Sequence, residues 1–162
     1  WPLEIVFGLM KKSGGALKIV LGVLLVVTLL AGGVYAFVQQ KAYNKPGNPA
    51  NTESVAQGKP LYARFCASCH GKNLEGQPDW DIQKEDGSFP APPHDTSGHT
   101  WHHNDAFLFE YTKSGGRAVN PPGFVSEMPQ FSEIMTDSEV WAVLAYIKST
   151  WPEHIRVKQA NR

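Results

Sequence analysis

The sequence predicts an all-α protein in which a single N-terminal transmembrane helix precedes a small helical domain. Three observations lead there. Residues 19–38, IVLGVLLVVTLLAGGVYAFV, run for twenty positions without a charge. Beyond them, apolar residues recur at helical spacing in segments bounded by cap and breaker residues. No segment alternates apolar and polar residues as a half-buried strand would.

At about 1.5 Å rise per residue the apolar run spans about 30 Å, the thickness of a bilayer's hydrocarbon core. A cleaved signal peptide is the rival, because Lys11, Lys12 and Lys18 precede a run that ends near small residues. Signal h-regions are shorter, about 7 to 15 residues, which favours an uncleaved anchor over residues 16–38. The same lysines put residues 1–15 on the cytoplasmic side by the positive-inside rule. Lys41 and Lys45 weaken that asymmetry without reversing it. Whatever follows the anchor then faces the periplasm, on the outer side of a bacterial cytoplasmic membrane. Thr28, Gly32 and Ala36 recur every fourth residue, a small-residue face on which another helix can pack, although small residues are common in membrane helices generally. Trp1 to Met10 is apolar but too short to span, and is expected at the interface or against a partner subunit. The chain opens on Trp rather than Met, which leaves open whether its natural N-terminus is present.

Residues 39–52, QQKAYNKPGNPANT, carry Pro46, Gly47 and Pro49 and read as a flexible linker. Fully extended they reach about 45 Å. The domain occupies residues 53–162. From Ser54, the pattern SVAQGKPLYARFCASCHG sets Val55, Leu61, Tyr62 and Phe65 at helical spacing. A second helix is expected from Asp105 to Ser114, capped by Asn104 or Asp105 and ended by Gly115 and Gly116. A third opens on the capping box Thr136 and Glu139, carries Val140, Trp141, Leu144 and Ile147 as its apolar stripe, and closes at Trp151 and Pro152.

Charge narrows the function classes. The formal net charge is zero, which leaves no electrostatic footprint for nucleic acid. Residues 39–162 hold 12 Lys and Arg against 14 Asp and Glu, without a basic ring that would steer docking. Asp79, Asp81, Glu85 and Asp86 share one loop, which is a docking patch or, more simply, a solvated surface.

The chemistry centres on Cys66-Ala67-Ser68-Cys69-His70. Two thiols at this spacing can add to the vinyl groups of a haem while the adjacent histidine ligates its iron, which is the c-type attachment signature. A thioredoxin-like dithiol belongs in a βαβ setting that is missing here. A structural zinc site wants four soft ligands, and the chain has two cysteines in all. A disulfide between them would leave His70 unexplained. One covalent haem c is the expected cofactor.

The sixth ligand can be argued from the three methionines. Met10 lies before the anchor, and Met135 directly precedes the N-cap Thr136, a place for core packing. Met128 sits in the turn-rich run NPPGFVSEMPQF, from which a thioether can be aimed across a cavity. Such a ligand favours Fe(II) and a relatively high potential. His94, His99, His102 and His103 are the rivals, as an alternative ligand or a second metal site. The plainer expectation is that His102 and His103 flank an exposed helix start while His94 and His99 hydrogen-bond within their loop. Trp80, Phe89, Trp101, Phe107 and Tyr111 can wall the haem from water, with Trp101 a contact for a propionate.

On these residues the chain resembles the class I monohaem cytochrome c family in its membrane-anchored bacterial form, over most of residues 54–152. Gly58 and Tyr62, eight and four residues before Cys66, match positions at which that family crosses its first and last helices. Leu144-Ala145-Tyr146-Ile147-Lys148 matches the last helix. Met128-Pro129-Gln130-Phe131 stands where the family places its distal methionine, a proline and an aromatic. The resemblance implies a cytochrome c-like helical domain around one haem. It also implies a proline carbonyl that accepts the proximal histidine's Nδ1 proton, with Pro90, Pro92 and Pro93 as candidates.

The leading function is that of a membrane-anchored electron carrier, not an enzyme in itself, which passes single electrons from an upstream donor protein to a downstream acceptor. A fixed subunit of a larger membrane redox complex suits the anchor and the apolar N-terminal stretch. A haem-based sensor or enzyme with an open iron position is the alternative, and requires that Met128 not ligate.

Overall fold

A computed structural model describes residues 2–116 and 124–162, with side chains from residue 14 onward. The side chains of the apolar stretch Trp1 to Met10 and the first residues of the run before Met128 lie outside the described residues. Two compact units emerge, residues 1–42 and 43–162. Among the described residues the structure is all-helical, with one isolated bridge between Ser88 and Val125 and no strand.

The first unit is the helix α1, Pro2–Tyr43, except for its last residue, which belongs to the second. Pro2 stands at its first position, where a missing N–H costs nothing. From Gly14 to Tyr43 the helix is long and apolar enough to cross a bilayer. Its large side chains from Leu17 to Val38 are exposed, the form a lipid-facing helix takes. Thr28 satisfies its hydroxyl internally by donating to the Leu25 carbonyl at 2.8 Å. A Cβ added at Gly32 meets nothing within 4 Å, so that face is open.

The second unit begins earlier than the expected linker allows. Asn48 Nδ2 donates to the Tyr43 carbonyl at 2.9 Å, and the Tyr43 hydroxyl accepts the Thr52 N–H at 3.1 Å. Gly47 has φ +68° and sits so close to Trp141 that a Cβ would lie 2.9 Å from the indole. Residues 43–51 therefore fold onto the domain, because Pro46 and Gly47 make a turn that an aromatic covers.

Helix α2, Thr52–Phe65, starts where Asn51 accepts the Ser54 N–H at 3.0 Å. After the single turn α3, Ala67–His70, the chain runs without regular structure to a 3₁₀ turn at Thr100–His102. Helix α4, Asp105–Ser114, is capped by Asn104 and ends at Gly115. Helix α5, Asp137–Ser149, carries the full capping box of Thr136 and Glu139. Helix α6, Glu153–Ala160, follows Pro152 and packs against the 3₁₀ turn.

The core sits where α2 crosses α5. Gly58 makes the crossing possible, since a Cβ there would stand 1.9 Å from the Ala142 carbonyl oxygen. One turn on, the Tyr62 ring meets Tyr146 at 5.4 Å between centroids. Val140, Val143, Leu144 and Ile147 from α5 join Leu108, Phe131, Met135, Trp151 and Ile155 around them. The far end is closed by charge: Lys148 donates to Asp105, which also accepts from Gln159 Nε2 at 2.7 Å. Burial alone would raise the Asp105 carboxyl, but those two hydrogen bonds and the charges of Lys148 and Lys45 together outweigh it and hold the group below its usual range. The Lys148 ammonium is lowered by its own burial despite the carboxylate, so the cost of this pair falls on the lysine.

Candidate functional site

The site is assembled where α2 stops. Cys66 ends that helix with its N–H on the Tyr62 carbonyl, and its own carbonyl accepts the N–H groups of Cys69 at 3.1 Å and His70 at 2.9 Å. That one turn brings both thiols and the imidazole to the same end of the domain. Tyr62 fastens the turn to the helix crossing, its hydroxyl donating to the carbonyls of His70 at 3.3 Å and Gly71 at 3.1 Å. Burial of that phenol raises its pKa, so it stays a donor.

Cys66 is buried, Cys69 is exposed, and both are free thiols. Burial, with Cys69 adding to it, pushes the Cys66 thiol up to about 12. A redox dithiol needs the opposite shift, because the thiolate is its nucleophile. His70 is buried, and its Nδ1 lies 2.8 Å from the Pro92 carbonyl. An imidazole that donates from Nδ1 leaves the Nε2 lone pair for a metal. Burial lowers the His70 pKa against the pull of that hydrogen bond, which keeps the ring neutral and able to ligate. Of the three candidate prolines, Pro92 makes this contact, while the Pro93 carbonyl accepts the Thr100 hydroxyl at 3.3 Å.

The histidine-rich loop arranges itself differently from expectation. His94 does not hydrogen-bond through its ring within the loop. It stacks on His70, 3.9 Å between centroids and 17° from parallel, with its Nδ1 sealed and without a partner. Its backbone is what is bonded: the N–H donates to the Leu74 carbonyl at 2.8 Å and the carbonyl accepts Trp151 Nε1 at 2.7 Å. His99 stacks on Trp80 and His103 on Phe107, and among the described residues no group of three His, Cys, Asp or Glu is placed to hold a metal ion.

Met128 is half-buried and packs against the core cluster, with its N–H on Ser126 Oγ at 3.2 Å. Phe131, three residues on, is buried edge-on to Phe65. Met135 is a core residue, 4 % exposed. Trp101 leaves its Nε1–H buried without a partner.

These residues fit a c-type haem. Two unpaired thiols precede, on one turn, a neutral imidazole with a directed lone pair, and a buried indole N–H stands ready for an acceptor such as a propionate. The comparisons agree. A family model described as cytochrome c matches residues 55–151, more than half of the chain. The chain belongs to the cytochrome c family. As a cytochrome c it carries one covalent haem c and works in electron transfer. Among curated relatives, thiosulfate dehydrogenase of Stutzerimonas stutzeri is 27% identical over 111 residues, 67% of this cytochrome and 31% of that protein. The cytochrome bc1 complex cytochrome c subunits of Mycobacterium bovis and Mycobacterium tuberculosis are 37% identical over 69 residues, 43% of this chain and 22% of theirs. The chain thus spans less than a third of the length of these relatives. No solved structure matches.

Two contributors to the site escape sequence reasoning. The stacking of His94 on His70 and the hold of Ser126 on Met128 both depend on how loops fold back, and neither residue type signals it.

Proposed function

We propose that this cytochrome c is a membrane-anchored carrier of single electrons on the periplasmic side, working as a subunit or close associate of a larger membrane redox complex. Cys66 and Cys69 would hold the haem through thioethers, and His70 Nε2 and the Met128 thioether would ligate its iron. When bound, the haem supplies a one-electron couple between Fe(II) and Fe(III). The observation that carries the reading is the His70 to Pro92 contact beside two free thiols, because it orients an imidazole for iron at the point of covalent attachment.

The remaining residues shape that couple. Pro92 fixes the tautomer of His70 and raises its basicity. Tyr62, Trp101, Phe131 and the core around them exclude water, and a low dielectric disfavours the more charged ferric state. Pro90 and Pro93 shape the loop that delivers Pro92. Helix α1 confines the domain to the membrane surface, with Lys11, Lys12 and Lys18 favouring a cytoplasmic N-terminal flank. The similarity to a subunit of a bc1 complex supports placement beside other membrane redox chains.

The test is purification in mild detergent from membranes in which the full chain was expressed. A haem stain that survives denaturation, resistance to alkaline extraction and stoichiometric co-migration with other membrane chains are expected. A chain released by alkaline extraction contradicts the anchor, and a chain that migrates alone contradicts the complex. Protease digestion of the C-terminal domain in spheroplasts, but not in inverted vesicles, is expected for a periplasmic domain.

A further inference from the structure

We propose that the segment Lys84–Phe89 is a clamp on residues 124–127, the chain leading into Met128, and that it sets how readily Met128 leaves the iron. The proposal rests on the ligation assigned above to Met128. Three contacts of different kinds join the two segments. Lys84 Nζ pairs with Glu127 Oε2 at 2.6 Å. Ser88 forms an isolated backbone bridge with Val125. The rings of Phe89 and Phe124 stack 5.8 Å apart and 9° from parallel.

The clamp is prefolded by its own hydrogen bonds. Asp86 Oδ1 accepts both the N–H of Ser88 at 2.9 Å and its hydroxyl at 2.7 Å. The Lys84 N–H donates to the Ser88 carbonyl at 2.8 Å, and Gln83 Nε2 donates to the Gly87 carbonyl at 2.8 Å. Ser88 is fully buried, so its side of the bridge is shielded from water.

Met128 is thus held from two directions. On its C-terminal side the Lys113 carbonyl, at the end of α4, accepts the N–H groups of Phe131 and Ser132, both at 3.0 Å. On its N-terminal side buried Ser126 accepts the Met128 N–H and the Ser88 bridge is buried, but the outer contacts are side chains near the surface: Lys84, Glu127 and Phe124 are all exposed. Side-chain contacts open more readily than buried backbone hydrogen bonds, so the N-terminal hold governs release. Within it the exposed ion pair counts for little and the ring pair for most.

The test uses the full chain, haem-loaded and ferric, in detergent. Imidazole is the probe, because it binds the iron only once Met128 has left. Phe89→Ala is expected to raise the apparent imidazole affinity about threefold to tenfold, the range an aromatic pair supports. Phe124→Ala should do the same, the double variant no more than either single one, and Phe89→Tyr should restore wild-type behaviour. Backbone amide exchange at residues 125–128 should accelerate in the alanine variants while α5 keeps its protection. Unchanged imidazole affinity in Phe89→Ala, with the far-red Met-to-iron band intact in the wild type, overturns the clamp alone. A wild type without that band overturns the Met128 assignment, and the clamp with it.

Discussion

Replacing Gly58 with Ala tests the helix crossing that carries the site. The new Cβ would stand 1.9 Å from the Ala142 carbonyl oxygen, 2.4 Å from its carbon and 3.0 Å from Tyr146 Cβ. Ordinary contact begins near 3.4 Å, so α2 and α5 must part by about 1.5 Å at this point. The obstacle is backbone and cannot swing aside. Overpacking of this kind costs about 3 kcal/mol. Alanine returns about 1 kcal/mol through its better helix propensity. The net loss is then about 2 kcal/mol, or about 8 °C in Tm for a domain of residues 43–162. The assay is guanidinium unfolding of the haem-loaded chain in detergent, followed by far-ultraviolet circular dichroism and by the Soret band. Because Tyr62 hangs from the same helix and holds the His70 turn, the two probes should shift together. A Gly58→Ala variant as stable as the wild type, or more so by the propensity gain alone, would refute the reasoning.

Other outcomes follow from the same geometry. Asp105→Asn leaves the Lys148 ammonium buried without its counter-charge and should cost about 3 kcal/mol at pH 7. The folded-state pKa of Asp105 is depressed, so its contribution is present above the unfolded carboxylate value of about 3.9 and fades as pH falls through the lower folded value. The difference between wild type and Asp105→Asn in urea melts should therefore shrink on acidification below about pH 4; a constant gap down to pH 2 contradicts the assignment. Trp101→Phe should destabilise the haem-loaded protein by about 2 kcal/mol if its buried N–H meets a propionate, and a neutral effect would place the propionates elsewhere. Cys66→Ala or Cys69→Ala should each leave haem held by a single thioether, read as a vinyl-shifted pyridine haemochrome spectrum, and an unshifted spectrum would place the attachment elsewhere.

Much of the helical frame was legible because its signals are local. Asn104 and Thr136 cap the helices that their spacing announces, and Gly115 ends α4 where a glycine was expected. The pair of Gly58 and Tyr146 was legible only through family resemblance, since nothing in the spacing of either says that they meet. Helix α6 was missed for a physical reason. Its residues are largely polar, and it is held by tertiary contacts: Ile155 in the core and Gln159 Nε2 on the His103 carbonyl and Asp105. The loop of residues 71–99 was equally opaque, because its fold depends on bonds such as the His94 N–H to the Leu74 carbonyl, twenty residues apart. That is why the sequence offered three prolines for one role and the structure brings Pro92 to His70. His94 carried a metal-ligand reading from its neighbours in sequence, yet its stacking on His70 is set by those same long-range bonds.

The proposed function requires that His70 and Met128 both ligate the iron of one covalently held haem. The most direct measurement is the ferric spectrum of the full chain in detergent, wild type beside Met128→Ala, each exposed to carbon monoxide after reduction. A far-red Met-to-iron band in the wild type, its loss in Met128→Ala, and carbon monoxide binding by the variant alone are expected. A wild type that is high-spin and binds carbon monoxide readily, or a band that persists in Met128→Ala, would contradict it.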